Sequence, residues 1–314
     1  MASCSRICLV IVIGALALTS TAGCGGTKKK GKKGGLTVAQ QLEKAEKEST
    51  PDRQAAALLK VARRQFASGD KTGAKDSAKK ALEKVRGEGD AGQFGPRLVE
   101  VAGFLAETGE KKPARDALKR ATELAGSIAD PVRRASVLAE AGGVYGDKTK
   151  GLGDAKAAKD VLGDATTAAE ETDERFRAEA LAAVALGYTR SGLADAASDM
   201  VGKLEEAAKG LEEPRAKAEA LAAAANVKAQ TGKKDEAASL LDEAAKAAKS
   251  VERSESRAYA LLAVATALDA NGATKDALAL LKEADKAANK VAEPDAMKTI
   301  VDKVRALTLT LEKK

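Results

Sequence analysis

The sequence predicts an all-α protein, an α-solenoid of about six helix–turn–helix repeats with a period of roughly 40 residues and a C-terminal capping helix. Three observations carry this reading. Leu58, Leu98, Leu138, Leu181, Leu221 and Leu261 recur at a spacing of roughly 40 residues, the third interval being longer by three. Gly69, Gly109, Gly192, Gly232 and Gly272 follow five of them at a constant offset. The 314 residues are 44% hydrophobic but only 2% aromatic, with no Trp. That composition suits thin layers of closely packed helices rather than a deep globular core.

The chain opens on residues 1–23, which read as a signal peptide. Arg6 precedes an apolar run from Ile7 to Leu18, short for a membrane span of about 20 residues and suited to the apolar region of a secretory signal. Thr21-Ala22-Gly23-Cys24 places small residues directly before a cysteine. This resembles the lipobox of bacterial lipoproteins, which implies diacylation of Cys24 and anchoring to a membrane of the cell envelope, facing the periplasm. Plain secretion with cleavage after Ala22, or an uncleaved anchor, are the alternatives. Residues 24–35 contain Lys28, Lys29, Lys30, Lys32 and Lys33 among glycines. This stretch cannot bury apolar surface and reads as a flexible tether.

Residues 36–50 are expected to form a capping helix, with Val38–Glu48 standing as a lone second helix over the first unit. The repeats occupy 51–293. Three residues after each recurrent Leu comes Val61, Val101, Ala141, Val184, Ala224 or Val264, followed by Ala62, Ala102, Gly142, Ala185, Ala225 or Ala265. A small residue at a helix crossing lets two backbones approach, while the flanking Leu and Val supply buried area at about 25 cal/mol per Å². In the fifth unit Leu221, Ala224, Ala225 and Val227 lie on helical spacing and Gly232 ends the helix. Asp235 and Glu236 suit the dipole at the start of the next, whose apolar face is Ala237, Leu240, Leu241, Ala244 and Ala248. Beyond the turn, Ala74, Ala114, Ala157, Ala197, Ala237 and Ala277 are read as equivalent. The third unit is expected to hold its three extra residues within Gly146–Gly153. Pro51, Pro131, Pro214 and Pro294 mark helix starts, where a missing N–H costs nothing. Residues 294–314 form the C-terminal capping helix, a seventh first helix solvated by Lys298, Asp302, Lys303 and Arg305.

Leu181, Val184, Ala185 and Tyr188, then Gly192, Ala197 and Val201, resemble the tetratricopeptide repeat, and the resemblance covers residues 52 to about 293. The family's own period is shorter, by about a turn and a half of helix, so each unit here is longer. The resemblance implies a right-handed superhelix whose first helices line a concave face that grips an extended peptide or a partner helix. Carried over position by position, that face includes Arg63, Phe66, Glu107, Asp147, Leu186 and Arg190 in the first four units. Asn226, Gln230, Tyr259, Thr266 and Asp269 continue it in the fifth and sixth. Phe66 and Tyr259 are the expected anchors, because aromatic residues contribute heavily to interfaces. Asn226 is similar to the asparagine with which some members clamp a C-terminal carboxylate, but no second Asn stands at an equivalent position and no clamp is expected.

Composition narrows the chemistry further. The absence of His removes the imidazole base, the Ser–His–Asp triad and the usual zinc ligand. Cys4, Cys8 and Cys24 are the only thiols, so the repeats hold no disulfide or Cys-based metal site. Of the net charge of +7, six basic residues lie in the leader and tether, and the remainder nearly balances 46 acidic residues. No basic stripe for nucleic acid is expected on the folded part. Phosphate-binding loops, nucleophile elbows and EF-hand loops are missing from the sequence, and Glu170-Glu171, Glu205-Glu206 and Glu212-Glu213 read as solvated faces. The expectation is a non-enzymatic adaptor without cofactor, metal or small-molecule substrate, holding a protein or peptide partner at an envelope membrane. The alternative is a structural or assembly role exercised through the ends or convex side of the stack.

Overall fold

The computed structural model describes residues 36–313. The expected signal peptide, the Lys-rich tether and Cys24 lie outside the described residues. Among the described residues there are fourteen helices and no strand.

A short helix α1 (Val38–Glu46) precedes six hairpins. They are α2 (Pro51–Ala67) with α3 (Lys71–Val85), α4 (Ala91–Glu107) with α5 (Lys111–Ala125), and α6 (Pro131–Gly146) with α7 (Ala155–Glu170). Then come α8 (Glu174–Arg190) with α9 (Ala194–Gly210), α10 (Pro214–Gln230) with α11 (Lys234–Ser250), and α12 (Ser254–Ala270) with α13 (Thr274–Ala288). A single helix, α14 (Pro294–Leu311), ends the stack.

Local chemistry sets each boundary. Thr37 and Gln40 form a reciprocal capping box at α1. Thr50, Asp70, Asp90, Asp130, Asp154 and Glu213 accept hydrogen bonds from the first free N–H groups of their helices. Pro51, Pro131, Pro214 and Pro294 each occupy the first helical position. Five first helices end alike: the glycine adopts φ between +75° and +90° at Gly69, Gly109, Gly192, Gly232 and Gly272. The N–H after each glycine then donates back five residues, as from Asp70 to the Gln65 carbonyl at 2.9 Å and from Lys233 to that of Lys228 at 2.8 Å. Both orphan carbonyls and the sharp reversal are thereby satisfied by one left-handed residue.

The third turn departs from the expectation. Ala157 does not take the buried alanine position of α7; it is half-buried, and Ala158 is fully buried instead. With Ala158 as the counterpart of Ala114 and Ala197, the turn carries four extra residues and the next connection is one shorter. The surplus is organised around Asp147, whose carboxylate accepts from Thr149 N–H, Thr149 Oγ1–H and Lys150 N–H. Leu152 N–H reaches back to the Val144 carbonyl at 3.0 Å, and Gly153 supplies the positive φ.

The layers follow from which helices touch. Each first helix packs on its own second helix, on the second helix of the preceding unit, and on the neighbouring first helices. Consecutive second helices do not pack closely on one another. The row of first helices is therefore the inner, concave layer and the second helices fan outward. The recurrent Leu and Ala fill the space between layers: Leu58, Leu98, Leu181, Leu221 and Leu261 are essentially inaccessible, as are Ala62, Ala102, Ala185, Ala225 and Ala265.

The tightest inner junction joins α6 to α8. A Cβ on Gly187 of α8 would stand 2.6 Å from the Ala139 carbonyl oxygen of α6, and within the hairpin one on Gly142 would stand 2.5 Å from Leu162 Cγ of α7. At the end of the stack, α14 repeats a first helix but turns Lys298, Val301, Arg305 and Thr308 to the side where Ala258, Leu261, Ala265 and Leu268 of α12 meet their partner. Lys298 and Arg305 are exposed while Ile300 and Val304 are buried against the stack, so the outward side of the last helix is mainly polar, with Leu309 exposed among it.

Gly187→Ala is expected to cost about 1–3 kcal/mol by overpacking. Gly202→Ala, on α9 where an added Cβ meets nothing within 4 Å, is expected to stabilise by about 0.4–1 kcal/mol through the unfolded chain. Urea unfolding of the two variants should give shifts of opposite sign.

Candidate partner-binding face

The inner layer presents side chains from columns repeated along the first helices. Near the N-terminal end the column is ionic. Arg63 donates to Glu100 at 3.1 Å, and Arg97 donates to Asp52 at 2.9 Å and also pairs with Glu100. Phe66 is half-buried and its ring stands edge-on to Phe104, with centroids 5.8 Å apart at 81°. That pairing makes Phe66 part of the packing between α2 and α4 rather than an open anchor.

In the middle of the stack, Asp147 and Arg190 come together, with Arg190 Nε 3.4 Å from Asp147 Oδ2. The stem of Arg190 lies against Gly143, where an added Cβ would be 3.1 Å from its Cδ. Glu107 pairs with Lys150 across the same turn at 3.4 Å. Burial alone would raise the Asp147 pKa. The Lys150 amide, the Thr149 hydroxyl and amide, and Arg190 outweigh it, leaving the group below its ordinary value. Beside this cluster Leu186 is 42% exposed, and among the described residues the other large exposed apolar side chains are Leu36, Val38 and Leu309, all at the ends.

Toward the C-terminal end, Asn226 accepts a hydrogen bond from Asn271 Nδ2 at 3.0 Å. With Gln230 the pair lines a cleft of about 320 Å³ between the fifth and sixth hairpins, floored by Leu241 and Leu268. The amide oxygen of Asn226 is thus engaged within the fold. Tyr259 lies under two cations, the Arg215 guanidinium 5.4 Å and Lys303 Nζ 5.3 Å from its ring centroid. These contacts tie α10, α12 and α14 together, so Tyr259 too is a packing residue on this face. Thr266 donates its hydroxyl to the Leu262 carbonyl, and Asp269 is half-buried.

The eleven residues do not form one constellation. Asp147, Leu186 and Arg190 share the central region, Asn226 and Gln230 share a cleft, and the two expected anchors sit in the first and sixth units. Two central carboxylates were missed by the sequence reading. Glu140 on α6 is raised above its ordinary pKa by burial, with Arg190 pulling it down and Glu100 pushing it up. Glu179 on α8 is raised by burial and then by Glu219 and Asp130. Their signal lay in the columns: Glu100 and Glu140 stand one period apart, as do Glu179 and Glu219.

Among the described residues no group of three or more His, Cys, Asp or Glu side chains is arranged to hold a metal ion. No helix among them is long and apolar enough to cross a membrane.

No family model matches the chain, and no curated protein matches it. Solved structures resemble it loosely. Ton1535 from Thermococcus onnurineus NA1 is 15% identical with a TM-score of 0.41, the alignment covering 84% of this chain and 94% of that one. A tetratricopeptide repeat protein from Parabacteroides merdae ATCC 43184 is 15% identical at 0.37, covering 85% and 92%. The nearly identical TPR-like repeats of a putative kinesin light chain from Podosopora anserina are 19% identical at 0.39, covering 65% and 98%. At this level of agreement the architecture rests on the chain's own helices: an α-solenoid of helical hairpins.

Glu140 titrates at a higher pH folded than unfolded, so its contribution is fully present below the unfolded pKa and is lost as pH rises through the raised folded value. Glu140→Gln should therefore melt above the parent at about pH 7, with the difference vanishing near about pH 4; thermal denaturation followed by circular dichroism reads both.

Proposed function

We propose that the protein is a non-enzymatic adaptor whose concave face holds a protein or peptide partner around Leu186, and that Cys24 tethers it through lipid to a bacterial envelope membrane. The observation that carries the binding reading is Leu186, a large apolar side chain left open to water in the middle of the inner layer. Water-exposed apolar surface bordered by charge is what an interface requires before its partner arrives. Glu140 and Glu179 support it: half-buried carboxylates raised by desolvation cost folding stability at neutral pH, and such costs are retained where a site needs them.

The interface would be modest. Much of the surrounding inner face is Ala, such as the half-buried Ala182, Ala183 and Ala223, so shape and a central contact must do more than area. The assembly reading has its own support in Val38 and Leu309, exposed on the first and last helices.

Affinity capture from detergent-solubilised envelopes separates the two. The proposal expects partners recovered with the parent to fall at least about tenfold with Leu186→Asp, a loss in keeping with a central contact, and to persist with Leu309→Asp. The reverse pattern would transfer the function to the ends. For the tether, metabolic labelling with a fatty acid should mark the parent and not Cys24→Ala, and equal label in both would rule out lipid attachment there.

A further inference from the structure

The two layers of the stack differ in what accompanies their ion pairs. Inner junctions combine ion pairs, such as Arg63 with Glu100, with direct helix packing, down to the contact of Gly187 with the Ala139 carbonyl. Outer junctions, where consecutive second helices do not pack closely, are bridged by polar side chains instead. Between α1 and α3 the bridge is Lys80 to Glu46, at 3.6 Å. Between α3 and α5, Lys75 and Lys79 converge on Glu110 at 3.0 and 2.8 Å. Arg115 meets Asp154 at 2.6 Å between α5 and α7, and Lys203 meets Glu170 between α7 and α9. Lys233 donates to Ser198 Oγ at 3.0 Å between α9 and α11, and Lys249 meets Glu283 at 3.0 Å between α11 and α13. Each of the six outer seams thus has a bridge, and five of the six are ionic.

We propose that these seams are ionic latches that set the curvature of the solenoid, so that the stack closes around its concave face as ionic strength rises. Several latching side chains stand well in solvent: Lys203 and Glu170 are 47% and 52% exposed, and Lys249 and Glu283 are 49% and 42% exposed, while Glu110 and Asp154 are more sheltered at 20% and 28%. The attraction of the exposed pairs is screened as the Debye length falls from about 10 Å at 0.1 M salt to about 3 Å at 1 M, and that of the sheltered ones less so. The inner row also carries ion pairs, such as Arg63 with Glu100 and Arg97 with Asp52, but its helices are in direct apolar contact as well, so screening the charges does not by itself part them. Releasing the outer seams while the inner spacing stays fixed lengthens the outer arc, and the stack curls inward. With layers about 10 Å apart, an opening of about 1 Å at a seam turns one unit by about 6°. The rotations accumulate over six seams, so a small local change moves the ends and narrows the groove around Leu186. Glu110 and Asp154 are both held below their ordinary pKa, first by the side-chain bonds to Lys79 and Arg115 respectively, consistent with latches that stay charged at neutral pH.

The test is energy transfer between dyes on a full-length chain with Cys4, Cys8 and Cys24 replaced by Ser and with Lys44→Cys and Glu312→Cys as attachment points. Between about 20 mM and about 1 M NaCl, where the Debye length drops to about 3 Å, transfer efficiency should rise as the ends approach. A second chain carries Glu46→Gln, Glu110→Gln, Asp154→Asn, Glu170→Gln and Glu283→Gln. It should begin near the high-salt efficiency and change little with salt, with its helical circular dichroism retained. A third chain neutralises Lys75, Lys79, Lys80, Arg115, Lys203 and Lys249 to Gln and should behave as the second does. An efficiency in the parent chain that stays flat or falls with salt overturns the proposal, as does a parent-like salt response in both neutralised chains.

Discussion

The distance between neighbouring first helices is the constraint on which the rest of this structure depends. Ala and Gly at the crossings bring backbones close enough for Leu and Val to be enclosed between thin layers, and a larger side chain there would prise the layers apart. Gly187 lies near the limit, against a neighbouring carbonyl. Because the side chains are small, no hairpin encloses enough apolar surface to stand alone, and stability is shared between neighbours along the stack. The absence of Trp and the scarcity of other aromatics follow from this geometry: a large ring has room only at special places, such as the Phe66–Phe104 pair.

Polar groups fix the register that apolar packing leaves loose. Gln65 is buried, accepting from Ser77 at 2.6 Å and donating to Asp70 at 3.0 Å, so α2 and α3 align in one way. In the fifth unit Lys228 is only 14% exposed and is held by Glu205 of the preceding unit and Glu236 of its own. Burial opposes the charge on Lys228, yet the bonds to Glu205 and Glu236 more than offset it and raise the pKa. This half-buried network of one lysine and two glutamates is met only when the hairpins are in register.

The architecture was legible because each of its causes leaves a mark in the sequence: Leu and Ala at one interval, a left-handed Gly at the turn, Pro at the first helical position. What the sequence did not disclose arises where residues distant along the chain decide the outcome. Ala157 and Ala158 are indistinguishable by composition, and it is the hydrogen bonds gathered by Asp147, with Asp154 capping α7 on the Ala157 N–H, that set the start of the helix and so which of them turns inward. Phe66 and Tyr259 looked like anchors because their helical positions face the groove. Their engagement by Phe104, Arg215 and Lys303 depends on side chains from other units. Glu140 and Glu179 are ordinary helix residues until burial by neighbouring helices shifts their titration.

The identical turns have a consequence for how such a chain can change over generations. Since Gly69, Gly109, Gly192, Gly232 and Gly272 resolve the same backbone problem in the same way, a duplicated or deleted stretch of one period would present its neighbours with surfaces they already fit. The terminal helix would still shield whichever unit came last. Length is therefore an inheritable variable that recombination can adjust in whole steps, without inventing a new contact each time.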